Sequence, residues 1–299
     1  FAMNGQSDAG APPGTTPTVA VYGCGDMARE YLLALGALGV PGTRTALVCR
    51  NELAAAALRA RFGVGGARPG DMLPPAATHA IVCVTQDALP AVARMAAAAG
   101  ARELLIEKPG ALSSSELRAL DRDLKAAGVG ASVAFNRRFY PATAYCRSAA
   151  AADGGIVACY FEATEVERLV LAEREKKRLP RAVLERWGLA NATHVVDLAL
   201  HLAGPCADLE CRRSGAVEWH PAGSIFAGSG QTDGGALLAY LASWGTAGRW
   251  RVEVTTPRRR LVMCPLETAQ EQWAGEFKVS PVDLPAEPAG VKPGLTGML

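Results

Sequence analysis

Thr18-Val-Ala-Val-Tyr22, followed at once by Gly23-Cys-Gly-Asp-Met-Ala28, is the stretch that decides the fold. A short β-branched run stops at a glycine and gives way to Ala28–Leu38, where apolar residues recur at helical spacing. The turn reads G-x-G-x-x-A over Gly23, Cys24, Gly25, Asp26, Met27 and Ala28. Between strand and helix each small residue has a task. Gly23 permits the tight turn, Gly25 lets a diphosphate approach the backbone at the helix N-terminus, and Ala28 keeps the helix close to the strand. The hexapeptide alone is a weak signal; at the head of a β-α-β series it points to a dinucleotide. A tight turn serving another ligand is the alternative.

The alternation continues. Thr45–Cys49, His79–Val84, Glu103–Ile106 and Val129–Phe135 read as strands, and Leu53–Phe62, Pro90–Gly100 and Ser115–Ala127 as the helices between them. His79-Ala-Ile-Val-Cys-Val84 is a continuous apolar run, as a strand buried on both faces requires. After Asn136 the character changes to longer strands at Ile156–Glu165, Ala236–Trp244, Trp250–Thr255 and Arg260–Cys264, with a helix over Leu184–Leu202. In Trp250-Arg-Val-Glu-Val254 apolar and charged residues alternate, as in an antiparallel sheet with one covered face. The expected fold class is α/β: a Rossmann domain over 17–136, then an α+β domain over 137–299 with a large, mostly antiparallel open sheet. Phe1 to Pro17 has no basic residue and reads as a flexible tail, with the domain proper beginning at about residue 17.

Composition excludes other classes. Of 299 residues 49% are hydrophobic and 20% charged, which rules out global disorder. Lys plus Arg exceed Asp plus Glu by two, too little for a nucleic-acid footprint, and no apolar run reaches the ~20 residues of a membrane helix. Eight cysteines show no C-x-x-C pair and no zinc-ligand spacing, so no metal is expected. Several lie in or beside apolar runs, where a free thiol behaves as a small hydrophobe, and a reduced, cytoplasmic protein is expected.

Three further strings matter together. Glu107-Lys108-Pro109 follows the fifth strand, Phe135-Asn-Arg-Arg-Phe-Tyr-Pro141 ends the sixth, and His194-Val-Val-Asp197-Leu lies on the later helix. With the glycine turn in front, their order and spacing resemble the Gfo/Idh/MocA oxidoreductases, from about Thr18 onward. The resemblance implies an NAD(P)-dependent dehydrogenase or reductase moving hydride to or from a carbinol or ketone carbon of a sugar or nucleotide-sugar-like substrate. It places Lys108 beside the nicotinamide, where an ammonium can stabilise a developing alkoxide, and makes His194 the proton-transfer group. By the same resemblance Cys49, Arg50, Asn51, Thr85, Glu107, Pro109 and Asn136 join the glycine turn at the cofactor. Lys108, Arg137, Arg138, Asn191, His194 and Asp197 face the substrate. Arg137 and Arg138 suit either a phosphate or carboxylate clamp or an interdomain salt bridge. Asp197, sharing a helix face with His194, could orient the imidazole or the second-domain contacts. His79, His201 and His220 read as structural.

The chain departs from the family pattern twice. Ala190 stands where D-x-x-x-H carries an aspartate, and Thr85-Gln-Asp-Ala-Leu-Pro90 replaces T-P-x-x-x-H. An imine or double-bond reductase and a non-catalytic dinucleotide-dependent regulator are the alternatives. NADP(H) is expected over NAD(H), because the second strand ends in Cys49-Arg50-Asn51 with no carboxylate to accept from the ribose. A homodimer or homotetramer is expected through the second-domain sheet, with Trp244, Trp250, Val252 and Val254 as its apolar face. The sequence points to neither a nucleic-acid nor a membrane partner.

Overall fold

The computed structural model describes residues 18–71 and 77–299. The stretch expected as a tail lies outside them. The chain forms two compact units, one ending at Ala134 and joined by Pro288–Leu299, the other Phe135–Glu287. The sequence reading placed residues 288–299 in the second domain; they complete the first instead, for a reason given below.

In the first unit β1 (Val19–Tyr22), β2 (Thr45–Val48), β3 (Gly65–Ala67), β4 (His79–Val82), β5 (Glu103–Glu107) and β6 (Gly130–Ala134) pair in parallel. Their order is β3-β2-β1-β4-β5-β6, so the chain reverses direction of growth between β1 and β4. Such a switch point leaves a crevice at the carboxyl ends of the two strands. Between the strands run α1 (Asp26–Ala37), α2 (Glu52–Phe62), α3 (Leu89–Ala98) and α4 (Ser114–Ala126). Alternate residues of the sheet serve two cores: Val19, Val21, Leu47 and Ile81 pack with α1, whereas Ala20, Val48, Ala80 and Leu104 pack with α3 and α4. That two-sided burial explains the unbroken apolar runs.

The second unit opens with α5 (Pro141–Ala152) and β7 (Ala158–Glu165), then α6 (Glu167–Lys177), α7 (Arg181–Leu184) and α8 (Thr193–Ala203). There follow β8 (Cys206–Leu209), β9 (Arg212–Ser214), β10 (Ile225–Thr232), β11 (Leu237–Trp244), β12 (Arg251–Thr255), β13 (Arg259–Met263), β14 (Gln270–Trp273) and β15 (Ser280–Pro281). Among the described residues these make one sheet, β15-β14-β13-β12-β7-β11-β10-β8, with β9 also on β10; β7 and β11 run parallel and the other pairs antiparallel. Cys159, Phe161, Val252, Val254 and Leu261 turn one face inward to Val195, Leu198 and Ala199 of α8.

This packing corrects the expected docking face. Trp244, Val252 and Val254 are 3%, 1% and 1% exposed in the single chain, because α8 and its neighbours cover them. Trp250 is half-buried and bonded to Glu165. The opposite face carries Tyr160, Glu162, Arg251 and Glu253, linked by ion pairs and hydrogen bonds. The last helix, α9 (Leu295–Met298), sends Leu295, Met298 and Leu299 into the core of α1, which is why the closing residues belong to the first unit. Among the described residues no helix is long and apolar enough to cross a membrane.

Candidate active site

In the first unit the expected residues gather at the carboxyl ends of neighbouring strands. Gly23 follows β1 with φ +128°, and a Cβ there would meet the Cys83 carbonyl oxygen at 2.5 Å, so only glycine fits. A Cβ on Gly25 would meet nothing within 4 Å: the space in front of this backbone is open. Asp26 begins α1, and no side chain caps that helix, so its first amides point outward as an anion needs. Ala28 is fully buried against the sheet. Open backbone, uncapped amides and a close-packed helix fit a dinucleotide diphosphate.

Two findings amend the picture at β2. Cys24 and Cys49 are joined as a disulfide with Cα atoms 6.0 Å apart, against the expectation of free thiols throughout. The parallel register explains the meeting: Tyr22 lies beside Val48, so the residues just beyond both strand ends fall together. The other six cysteines are free. Asn51 caps α2, its side-chain oxygen accepting from the Ala54 amide at 3.2 Å, which leaves its NH2 group to donate elsewhere. Arg50 beside it is exposed. Thr85, also exposed, turns the chain after β4 by accepting from the Ala88 amide at 2.9 Å.

Glu107-Lys108-Pro109 leaves β5 through a cis Lys108–Pro109 bond. Tyr31 of α1, fully buried, donates its hydroxyl to Glu107 Oε1 at 2.6 Å. Burial first, and the Glu107 carboxylate second, hold the Tyr31 phenol well above its ordinary pKa, so it remains a donor. Burial, aided by Glu107, likewise raises the Cys83 thiol, which is therefore inert. The glutamate thus ties the turn carrying Lys108 to the helix that begins at the glycine loop. Lys108 itself is half-buried.

In the second unit a π turn, Gly188–Ala192, runs directly into α8. His194, 7% exposed, stands in the first turn of α8 between Phe135 (edge-on, centroids 6.3 Å apart) and Trp250 (tilted, 6.0 Å). The Arg137 guanidinium lies 4.8 Å from the Trp250 centroid and donates to Asn136 Oδ1 at 3.2 Å. Arg138 grips Asp197 with a fork, Nε to Oδ2 at 2.8 Å and an Nη to Oδ1 at 2.5 Å. The Asp197 hydrogen bond raises the Arg138 pKa further. This resolves two expectations. Arg138 pairs within its own unit, and Asp197 is engaged by that arginine, a second-domain contact as one of its two expected roles allowed.

Asn191 donates to Glu165 Oε1 at 2.6 Å, and Trp250 Nε1 donates to the same oxygen at 3.1 Å. Sequence reading missed both Glu165 and this use of Trp250. The only local hint was Asn191 beside the substituted Ala190. Among the described residues no cluster of His, Cys, Asp and Glu could hold a metal.

No protein-family model matches the chain, and no curated protein matches it at significance. Solved structures share its fold. The chain is similar to UDP-N-acetylglucosamine 3-dehydrogenase from Acidithiobacillus ferrooxidans at 19% identity, over 93% of this chain and 85% of that one, with TM-score 0.70. It is similar to levoglucosan dehydrogenase in complex with NADH and levoglucosan at 19% identity, over 95% and 87%, with TM-score 0.74. It is also similar to an NAD binding oxidoreductase from Klebsiella pneumoniae at 19% identity, over 89% and 78%, with TM-score 0.68. What these likenesses establish is the architecture: a six-stranded parallel Rossmann-like sheet and a second, mostly antiparallel mixed sheet in one chain.

Proposed function

We propose that this protein is a nicotinamide-dependent oxidoreductase acting on a carbinol or ketone carbon of a sugar-like substrate. The observation that carries the reading is the first unit's strand-end constellation. Lys108 leaves β5 in the same sheet whose β1 ends at the open Gly25 backbone. The structural neighbours, a nucleotide-sugar and an anhydrosugar dehydrogenase among them, support the substrate class.

The turn Gly23–Ala28 would hold the diphosphate, and Glu107 and Pro109 would fix the approach of Lys108. When bound, the nicotinamide supplies the hydride chemistry. A nitrogen of the His194 imidazole takes the substrate hydroxyl proton in oxidation and returns it in reduction. Imidazole is the side chain suited to taking and returning a proton near neutrality. The Lys108 ammonium would stabilise negative charge that develops on a substrate oxygen. Arg137 and Asn191 are proposed to bind the substrate, Arg137 through its guanidinium. NADP(H) is proposed over NAD(H), since exposed Arg50 can pair with a 2′-phosphate and the nearest carboxylate, Glu52, already lies in α2 and pairs with Arg59.

The test is nicotinamide absorbance across a panel of free sugars and nucleotide sugars with NAD+ and NADP+, and of the matching ketones with the reduced forms. Turnover of at least one member is expected. Dinucleotide binding without turnover of any would overturn the enzyme reading in favour of a regulator.

A further inference from the structure

We propose that Glu165, at the end of β7, is a positioning residue for His194. Its kinetic consequence rests on the oxidoreductase reading; its geometry does not. Glu165 closes β7, where its carbonyl accepts from the Gly245 amide at 2.7 Å, so the side chain starts from a fixed backbone. One oxygen then receives two donors, Asn191 Nδ2 at 2.6 Å and Trp250 Nε1 at 3.1 Å.

Both donors bear on the imidazole. Asn191 belongs to the π turn that sets the start of α8, three residues before His194. Trp250 forms one wall of the ring's surroundings, 6.0 Å away, with Phe135 opposite in kind at 6.3 Å. A single carboxylate oxygen therefore joins the turn that aims His194 to the indole that flanks it. Ionised acceptors make hydrogen bonds about twice as strong as neutral ones, and the Arg137 guanidinium over the indole face adds a compensating positive charge nearby.

The experiment compares the full-length protein with Glu165→Ala, Glu165→Gln and Asn191→Ala. Histidine-selective 15N NMR is decisive without any substrate, because the chain has four histidines and His194→Ala identifies the resonance in question. Glu165→Ala should move the His194 ring resonances and leave those of His79 in place. With an active substrate, kcat should fall roughly 10- to 100-fold while KM for the dinucleotide stays within about twofold. Glu165→Gln keeps an acceptor for both donors and should recover kcat to within about fivefold of the parent. A folded Glu165→Ala with unmoved His194 resonances would overturn the proposal, as would full turnover. If Glu165→Ala does not fold, Asn191→Ala, which cuts one of the two bonds, must produce the same shift. If the parent shows no turnover, the oxidoreductase reading fails and the NMR comparison still decides the role of Glu165.

Discussion

Tyr31→Phe removes one oxygen atom from a residue whose ring is fully enclosed by Val19, Val21, Leu35 and their neighbours. The ring contacts survive, so the change isolates the 2.6 Å hydrogen bond to Glu107. A hydrogen bond to a charged group contributes ~1.5–3 kcal/mol, and here the half-buried carboxylate has water as only a partial substitute. The expected loss is therefore about 2 kcal/mol in the first unit, a roughly 30-fold shift in its unfolding equilibrium. Urea unfolding followed by far-UV circular dichroism measures it, and the chain supplies its own control. All five tryptophans, Trp187, Trp219, Trp244, Trp250 and Trp273, lie in the second unit, so their fluorescence should unfold at an unchanged midpoint. The double variant Tyr31→Phe with Glu107→Gln should lose less than the sum of the singles, because both remove the same interaction. A loss under about 0.5 kcal/mol, or strict additivity, would refute the claim that this bond anchors the Lys108 turn.

Lys108→Ala should lower turnover by roughly 10²–10³ with little change in dinucleotide affinity. His194→Ala should lower it by on the order of 10²–10⁴, both read by steady-state kinetics. Arg50→Ala should weaken NADPH roughly tenfold relative to NADH in direct titrations; an unchanged ratio would remove Arg50 from cofactor choice. Arg259 donates to Asp153 Oδ2 at 2.8 Å and to Glu271 Oε2 at 2.8 Å, in side chains 11%, 2% and 20% exposed. Arg259→Met strands both carboxylates and should cost about 3–5 kcal/mol near neutral pH, measured by thermal unfolding. The pH dependence has a definite sign. The Arg259 hydrogen bond holds Asp153 below its ordinary value; burial pushes Glu271 up, but the Tyr145 and Arg259 hydrogen bonds bring it below overall. Depressed carboxyls stabilise above the unfolded pKa of ~4 and lose that contribution as pH falls through the lower folded values, so the gap between parent and variant should start to narrow at about pH 4 and close only below the folded values.

Local strings were legible where one segment holds its own signal. The buried strands of the first sheet announced themselves as unbroken apolar runs, and the glycine turn by its place after β1. By contrast β3 is Gly65-Gly66-Ala67, with no apolar run at all; only pairing with β2 makes it a strand, so the full strand order could not be read. Helix α6 was hidden because Arg174–Arg178 reads as a solvated charge run, which its exposed C-terminal turn indeed is. The site divides the same way. Glu107-Lys108-Pro109 and His194 are contiguous signals, whereas Glu165 meets Trp250 across 85 residues because β12 pairs with β7. Asp197 shows the limit of helical periodicity: it shares a face with His194, yet Arg138, 59 residues earlier, claims its carboxylate.

The return of residues 288–299 to the first unit has a consequence for synthesis. Leu295, Met298 and Leu299 complete the hydrophobic surface of α1, but the ribosome makes them only after all of Phe135–Glu287. At ~5–20 residues per second, the nascent first unit waits roughly 8–30 s with that flank of α1 uncovered while the second unit emerges and folds. The order of completion is thus the reverse of the order of translation: the second unit can close first, and the first is finished by a helix translated after it.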